Sequence, residues 1–187
     1  MKSTLIIGGA RSGKSRIATE IALLSDQPVL FVATAEAGDE EMRRRIEEHR
    51  RVRPADWVTL EATTQVGRQI QKNIGTARTV ILDCITLLVS NVLLNCLEHA
   101  GGEPDATDIE KEVMAEIEEL VRCFDRVEAN FIIVTNEVGL DLVPVNKIGR
   151  LYRDLLGRAN QVLAKHVDEV YLMVAGVPML IKSVPTP

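Results

Sequence analysis

Ser3-Thr4-Leu5-Ile6-Ile7-Gly8-Gly9-Ala10-Arg11-Ser12-Gly13-Lys14-Ser15 opens with β-prone residues and runs into a glycine-bearing loop. Its last eight residues fit G-x-x-x-x-G-K-[ST]. Arg16–Ser25, which follows, carries Ile17, Ile21 and Leu24 at helical spacing. Strand, glycine loop and helix form the context in which this pattern cradles phosphate. Backbone N–H groups of Gly8, Gly9, Ala10, Arg11, Ser12 and Gly13 can converge on phosphate oxygens, and the helix N-terminus adds partial positive charge. Lys14 is expected to reach the β- and γ-phosphates, and Ser15 to ligate Mg²⁺. A plain turn joining strand to helix needs neither the lysine nor the hydroxyl, so the expected ligand is a nucleoside triphosphate.

The rest of the chain fits around that loop. Apolar runs alternate with helical patterns, which predicts an α/β fold: a mostly parallel sheet with helices on both faces. Strands are expected at Thr4–Ile7, Val29–Ala33, Trp57–Leu60, Thr79–Leu82, Phe131–Thr135, Glu169–Val174 and Met179–Lys182. Helices are expected at Lys14–Leu24, Asp39–Val52, Thr64–Ile74, Thr86–Leu97, Asp108–Val127 and Lys147–His166. Ala175-Gly176-Val177-Pro178 should join the last two strands as a hairpin with an antiparallel edge. The turn-rich stretch between Glu98 and Thr107 reads as a loop holding His99, and Ser183–Pro187 as a frayed tail.

Composition narrows the function classes. The 187 residues are expected to form one domain, 46% hydrophobic and 26% charged, as in an ordinary globular protein. No apolar run approaches the roughly 18–20 residues of a membrane span. Met1-Lys2-Ser3 leads straight into the phosphate loop, from which the expectation is a chain without a signal peptide. A net charge of −5 argues against an extended nucleic-acid surface. Cys84, Cys96 and Cys123 are odd in number and lack metal-ligand spacing, so a reduced, cytoplasmic setting is expected. Aromatic residues make up only 3%, too few for a base-stacking platform of nucleic-acid type.

Three further constellations carry chemistry. Thr79-Val80-Ile81-Leu82-Asp83 ends a strand pattern in a carboxylate. Asp83 can sit beside Mg²⁺ and the phosphates, cap the next helix, or accept from the two adjacent donors on the Watson–Crick edge of guanine. Ala33-Thr34-Ala35-Glu36 and Thr135-Asn136-Glu137-Val138-Gly139 follow strands at the sheet edge where α/β proteins bind ligands, and either contacts with nucleotide or helix caps would explain them. The segment Asp39–Pro54 has acids at its start and bases at its end, the polarity that suits a helix dipole. Met42, Ile46, His49 and Arg53 share one stripe, with Arg45, Arg50 and Arg51 close by. His49 is then either a packed side chain or a nucleophile: a neutral imidazole can attack an α-phosphate and expel pyrophosphate. Neighbouring cations favour that neutral form and stabilise the phosphate charge.

Taken together these blocks resemble one family, the bifunctional adenosylcobinamide kinase/adenosylcobinamide-phosphate guanylyltransferases of cobalamin biosynthesis. The similarity rests on Gly8–Ser15, Ala33-Thr34-Ala35, Asp39–Met42 with Arg45-Ile46 and His49, and Arg53-Pro54-Ala55-Asp56-Trp57. It continues through Asp83-Cys84-Ile85-Thr86 with Asn91, Thr135–Gly139 with Val143-Pro144, and Gly157-Arg158-Ala159-Asn160-Gln161. The blocks keep family order along nearly the whole chain. The resemblance implies a RecA-like phosphate-loop fold, a homotrimer, and two reactions using ATP or GTP with Mg²⁺. One phosphorylates the hydroxyl of the aminopropanol arm of a corrinoid, adenosylcobinamide. The other transfers GMP from GTP to that phosphate through a guanylyl-histidine, which falls on His49. It also implies nucleotide contacts for Arg53, Glu61 and Asp83, with Asp83 standing where some members carry Glu. Glu48 occupies a position where some members have a second histidine.

Overall fold

The computed structural model describes residues 1–36, 38, 40–51, 53–99, 105–140 and 142–183, with residues 41, 42, 45 and 49 described by backbone alone. In chain order the elements are β1 (Ser3–Gly8), α1 (Lys14–Leu24), β2 (Val29–Ala33), α2 (Glu40–Arg51), β3 (Val58–Glu61), α3 (Val66–Asn73) and β4 (Thr79–Asp83). They continue with α4 (Ile85–His99), α5 (Ala106–Arg126), β5 (Asn130–Asn136), α6 (Lys147–His166), β6 (Glu169–Val174) and β7 (Val177–Ser183). All seven strands form one sheet in the order β3-β2-β4-β5-β1-β6-β7. The first six are parallel to their neighbours, and β7 pairs antiparallel with β6. The phosphate-loop strand β1 therefore does not touch β4, which carries Asp83, because β5 lies between them.

Strand alternation sorts side chains onto two faces. Leu5, Val80, Leu82, Phe131 and Ile133 join the larger core, together with residues of α3, α4, α5 and α6. Ile6, Ile81, Ile132 and Val134 join a smaller core built with Ala18 and Ala22 of α1. Helices thus lie on both faces, unequally. Central strands are buried on both faces and read as continuous apolar runs, whereas the edges β3 and β7 are mostly exposed.

Several sequence boundaries move, each for a physical reason. Trp57 lies outside β3, which instead includes Glu61. Helix α3 starts at Val66 rather than Thr64, because Gln65 adopts φ +50°. The Glu116 carboxylate of α5 accepts from the backbone N–H groups of Gln65 and Val66, both at 2.8 Å. A helix start is thereby capped from another element, which no local pattern announces. Helix α4 runs to His99, whose ring Nδ1 meets the Asn95 carbonyl at 2.8 Å, so His99 is helical. Asp105 caps α5 by accepting from Thr107 N at 3.0 Å. The expected loop between them shrinks accordingly; Ser183, expected to begin a frayed tail, instead ends β7 through pairing with Glu169, and residues 100–104 and 184–187 lie outside the described residues. The hairpin turn is only Ala175-Gly176, with φ of +50° and +83°. Positive φ at both residues is the geometry that matches strand twist. Pro178 therefore belongs to β7, where an edge strand tolerates the missing donor.

Candidate active site

The phosphate loop leaves β1 under tight steric control. A Cβ on Gly8 would stand 2.6 Å from the Met173 carbonyl of β6 and 2.9 Å from Ser12 Oγ. Gly13 holds φ +94° and Arg11 φ +55°, left-handed positions within the loop, and Gly13 meets the former at no steric cost. Ser12 N donates to Gly9 O at 3.3 Å, and Ile17 N to Gly13 O at 3.1 Å, closing the loop onto α1. The β6–β7 turn supports the loop from outside. Gly176 N donates to Ser12 O at 3.0 Å, and Arg16 Nη2 donates to Gly176 O at 3.1 Å.

Lys14 is buried, and its Nζ donates to Gly9 O at 2.6 Å across the loop. Burial lowers its pKa, while the nearby Cys84 and Asp83 act in the opposite direction. A buried ammonium held within a glycine-bearing loop at a helix N-terminus suits an anion, so the residues present fit a phosphate chain. Ser15 stands in the first turn of α1 beside Lys14, the position from which its hydroxyl could hold Mg²⁺.

Register lines up the other expected groups along the carboxyl edge of the sheet. Ala33 of β2 stands opposite Asp83 on one side and Glu61 on the other. Gly8 stands opposite Asn136. Thr34 is fully buried: its N donates to Asp83 O at 3.2 Å, its Oγ1 donates to Cys84 O at 2.7 Å and accepts from Cys84 N at 2.8 Å. Asn91 Nδ2 donates to Thr34 O at 2.9 Å and Thr63 O at 3.1 Å, tying the chain after β2 to the chain after β3. Ala35 is half-buried and Glu36 exposed just beyond. On the β5 side, Thr135 Oγ1 donates to Asn160 Oδ1 at 2.7 Å and Asn160 Nδ2 to Asn136 O at 3.1 Å. Thr86 Oγ1 accepts from Asn136 N at 2.8 Å. These bonds make Thr34, Thr86, Asn91 and Asn160 framework for the edge. Beside them the Cys84 thiol is pushed up to about 11 by burial and then by Asp83, so it stays protonated at neutral pH.

The region after α2 departs from the sequence expectation. The helix ends at Arg51, so Arg53 is not on its stripe. The Arg53 guanidinium instead lies over the Phe31 ring, 3.5 Å from its centroid, a cation–π contact. Trp57 stacks on the same Phe31, centroids 6.5 Å apart. Arg53 Nε and Nη1 are buried without a hydrogen-bond partner among the described residues. Burial lowers the Arg53 pKa, Asp83 raises it and Arg50 lowers it. Arg50 pairs with Glu61, which docks the last turn of α2 on the end of β3. Arg50, Arg53, Pro54, Ala55, Trp57, Thr59 and Glu61 line a cleft of about 420 Å³.

His49 lies in the last turn of α2, adjacent in sequence to Arg50; the stripe it was expected to share with Met42 lies outside the described side chains. Asp83 raises the pKa of both Lys14 and Arg53, against the larger lowering by burial. Sequence reasoning missed Phe31 and the tie made by Asn91. Phe31 reads as one more core residue of a buried strand, and only the return of the chain at residue 53 gives it a second role.

The sequence profile of the family described as cobinamide kinase / cobinamide phosphate guanyltransferase matches residues 4–181. The chain belongs to this family. Its relatives include the bifunctional adenosylcobalamin biosynthesis protein CobU of Escherichia coli, 41% identical over 95% of this chain and 98% of the relative. The bifunctional adenosylcobalamin biosynthesis protein CobP of Pseudomonas aeruginosa is 40% identical over 97% and 98%. Membership makes the chain a transferase of cobalamin biosynthesis. Among solved structures, an ATPase of a bacterial type III secretion system aligns with TM-score 0.56 at 13% identity, covering 92% of this chain and 51% of that one. The RadB recombinase aligns with TM-score 0.50 at 15% identity, covering 91% and 73%. At such identities the likeness concerns the fold alone, a RecA-like phosphate-loop architecture. No helix among the described residues is long and apolar enough to cross a membrane.

Proposed function

We propose that this chain phosphorylates the aminopropanol hydroxyl of adenosylcobinamide with ATP or GTP, then transfers GMP from GTP to that phosphate through a guanylyl-histidine on His49. The observation carrying the reading is the register that sets Glu61, Ala33 and Asp83 in one row at the carboxyl edge of the same sheet whose β1 runs into the phosphate loop and Lys14. In the first step the substrate oxygen attacks the γ-phosphorus and the nucleoside diphosphate leaves. Lys14 and the amides of Gly8–Ser15 hold the phosphates in place and stabilise the charge that develops. Mg²⁺, held by Ser15 and Asp83, would neutralise the charge shared by the β- and γ-phosphates.

In the second step a ring nitrogen of His49 attacks the α-phosphorus of GTP and pyrophosphate leaves. The phosphate oxygen of adenosylcobinamide phosphate then displaces the imidazole, giving adenosyl-GDP-cobinamide. Arg53, Glu61, and the edge residues Ala33, Ala35 and Glu36 are read as nucleotide contacts, with Asp83 available to the metal or the base; Thr34, expected among these contacts, is buried and its hydroxyl is taken by Cys84, so it supports the edge instead. Helix α2 is flanked by Gly38 on one side and Pro54 on the other, and in this reading it moves as a unit to bring His49 to the α-phosphate. The same reading places the chain, as one domain, in a cytoplasmic homotrimer that acts on a corrinoid, not on nucleic acid.

The test is mass spectrometry after incubation with GTP and Mg²⁺. Wild type should carry a GMP adduct on the peptide containing His49, and His49→Asn should carry none while keeping phosphoryl transfer. Lys14→Ala should lose both activities. An adduct on another residue, or equal labelling of wild type and His49→Asn, would overturn the assignment.

A further inference from the structure

The chain leaves β5 beside the start of the phosphate loop: Gly8 and Asn136 are in register, and Glu137 N donates to Gly8 O at 3.1 Å. It then presents large apolar side chains to solvent. Leu140 is 88% exposed, Val145 96%, and Val143 and Ile148 are also exposed. Isolated exposed hydrophobics are ordinary, but several within residues 140–148, on the chain that leaves β5 next to Gly8, call for an occupant. The backbone at this point is fixed. Arg150 Nη1 donates to Pro144 O at 3.0 Å and Val145 O at 2.6 Å, while Asn146 caps α6 by accepting from Gly149 N at 2.6 Å. The apolar groups are held outward, which reduces the ordering cost of binding something against them.

The two flanks of the edge differ in chemistry. The β2–β3 flank carries Arg50, Arg53 and Glu61, suited to a charged nucleotide. Between Glu137 and Lys147 the sequence has one ionisable residue, Asp141, and the cations that follow are Lys147 and Arg150, the latter turned onto the carbonyls of Pro144 and Val145, so this flank is mainly apolar and suits a large, mostly uncharged ligand. A corrin macrocycle has that character, with methyl groups and amides around an extended ring. Its reactive hydroxyl sits at the end of a flexible arm, so the ring must rest beside the phosphate loop rather than inside it. Resting on the family assignment and the kinase step, we infer that Leu140, Val143, Val145 and Ile148 form the surface that holds the corrin ring while its arm reaches the γ-phosphate.

The experiment is equilibrium binding of adenosylcobinamide, read by corrinoid absorbance after ultrafiltration, for wild type, Leu140→Ser and Val145→Ser. Each variant should bind about tenfold more weakly, the effect of removing one partly covered aliphatic side chain. Half-saturation by GTP in the labelling reaction should move less than twofold, and the sedimentation profile should match wild type. Unchanged corrinoid affinity would overturn the inference. So would a shift to smaller species, because the surface would then hold a second copy of the chain. Wild type that binds corrinoid without forming a GMP adduct would overturn the His49 reading and leave this surface assigned. Wild type that binds no corrinoid would overturn both.

Discussion

Replacing Arg53 with Met should separate stability from nucleotide binding. The guanidinium lies 3.5 Å from the Phe31 centroid, an interaction of about 0.5–2 kcal/mol. Against it stand Nε and Nη1, two buried donors with no partner among the described residues. Each unsatisfied donor costs about 1–3 kcal/mol. Methionine keeps an apolar stem against Phe31 and removes both donors, so the balance runs from neutral to favourable for the variant. Partial exposure of the side chain puts the expected gain at the low end, about 1 kcal/mol, or roughly 2–4 °C in Tm for a chain of this size. Nucleotide binding should move the other way. Losing a charge-assisted contact of about 1.5–3 kcal/mol weakens affinity about 10- to 150-fold. The assay is thermal unfolding with and without GTP and Mg²⁺, paired with titration of GMP labelling. An apo protein destabilised by more than about 2 kcal/mol, with unchanged GTP titration, would make Arg53 a packing residue and refute the reasoning.

Two other perturbations follow from the geometry. Gly8→Ala places a methyl carbon 2.6 Å from a backbone carbonyl of β6, so stability should fall by roughly 1–3 kcal/mol and GMP labelling should be lost; a raised Tm would contradict the close approach. Asp168 accepts from Ser3 N at 2.7 Å and Ser3 Oγ at 2.8 Å, and the backbone hydrogen bond is the main cause of its lowered pKa. A depressed carboxylate pKa contributes stability above the unfolded value of about 3.9 and loses it as pH falls through the folded value. The urea midpoint gap between wild type and Asp168→Asn should therefore be present at pH 7 and close below about pH 4, and a gap independent of pH would refute the linkage.

Much of the fold was legible because its signals are local. Lys14–Leu24 and Lys147–His166 carry their helical periodicity within themselves, and both helices occupy those residues. Glu169–Val174 likewise reads as a strand without help from its partners. The start of α3 was not legible, since the carboxylate that caps it comes from Glu116, about fifty residues later. Gly67 shows the same dependence: a Cβ there would lie 2.7 Å from Glu119 O, a requirement set wholly by how α3 meets α5. The position of Arg53 is not legible because extending a helical stripe assumes the helix continues, whereas α2 ends at Arg51 and the Arg53 guanidinium lies over Phe31.

The sequence by itself determined the order of elements, the phosphate loop with Lys14 and Ser15, and the family. These depend on residue type and spacing within short windows, where backbone sterics and hydrophobic periodicity act. Tertiary structure alone decided that β5 separates β1 from β4, that Glu61, Ala33 and Asp83 stand in one row, and that Arg53 returns over Phe31. Those placements depend on which strands pair and which faces bury, a global balance of buried area and backbone hydrogen bonding that no short window contains.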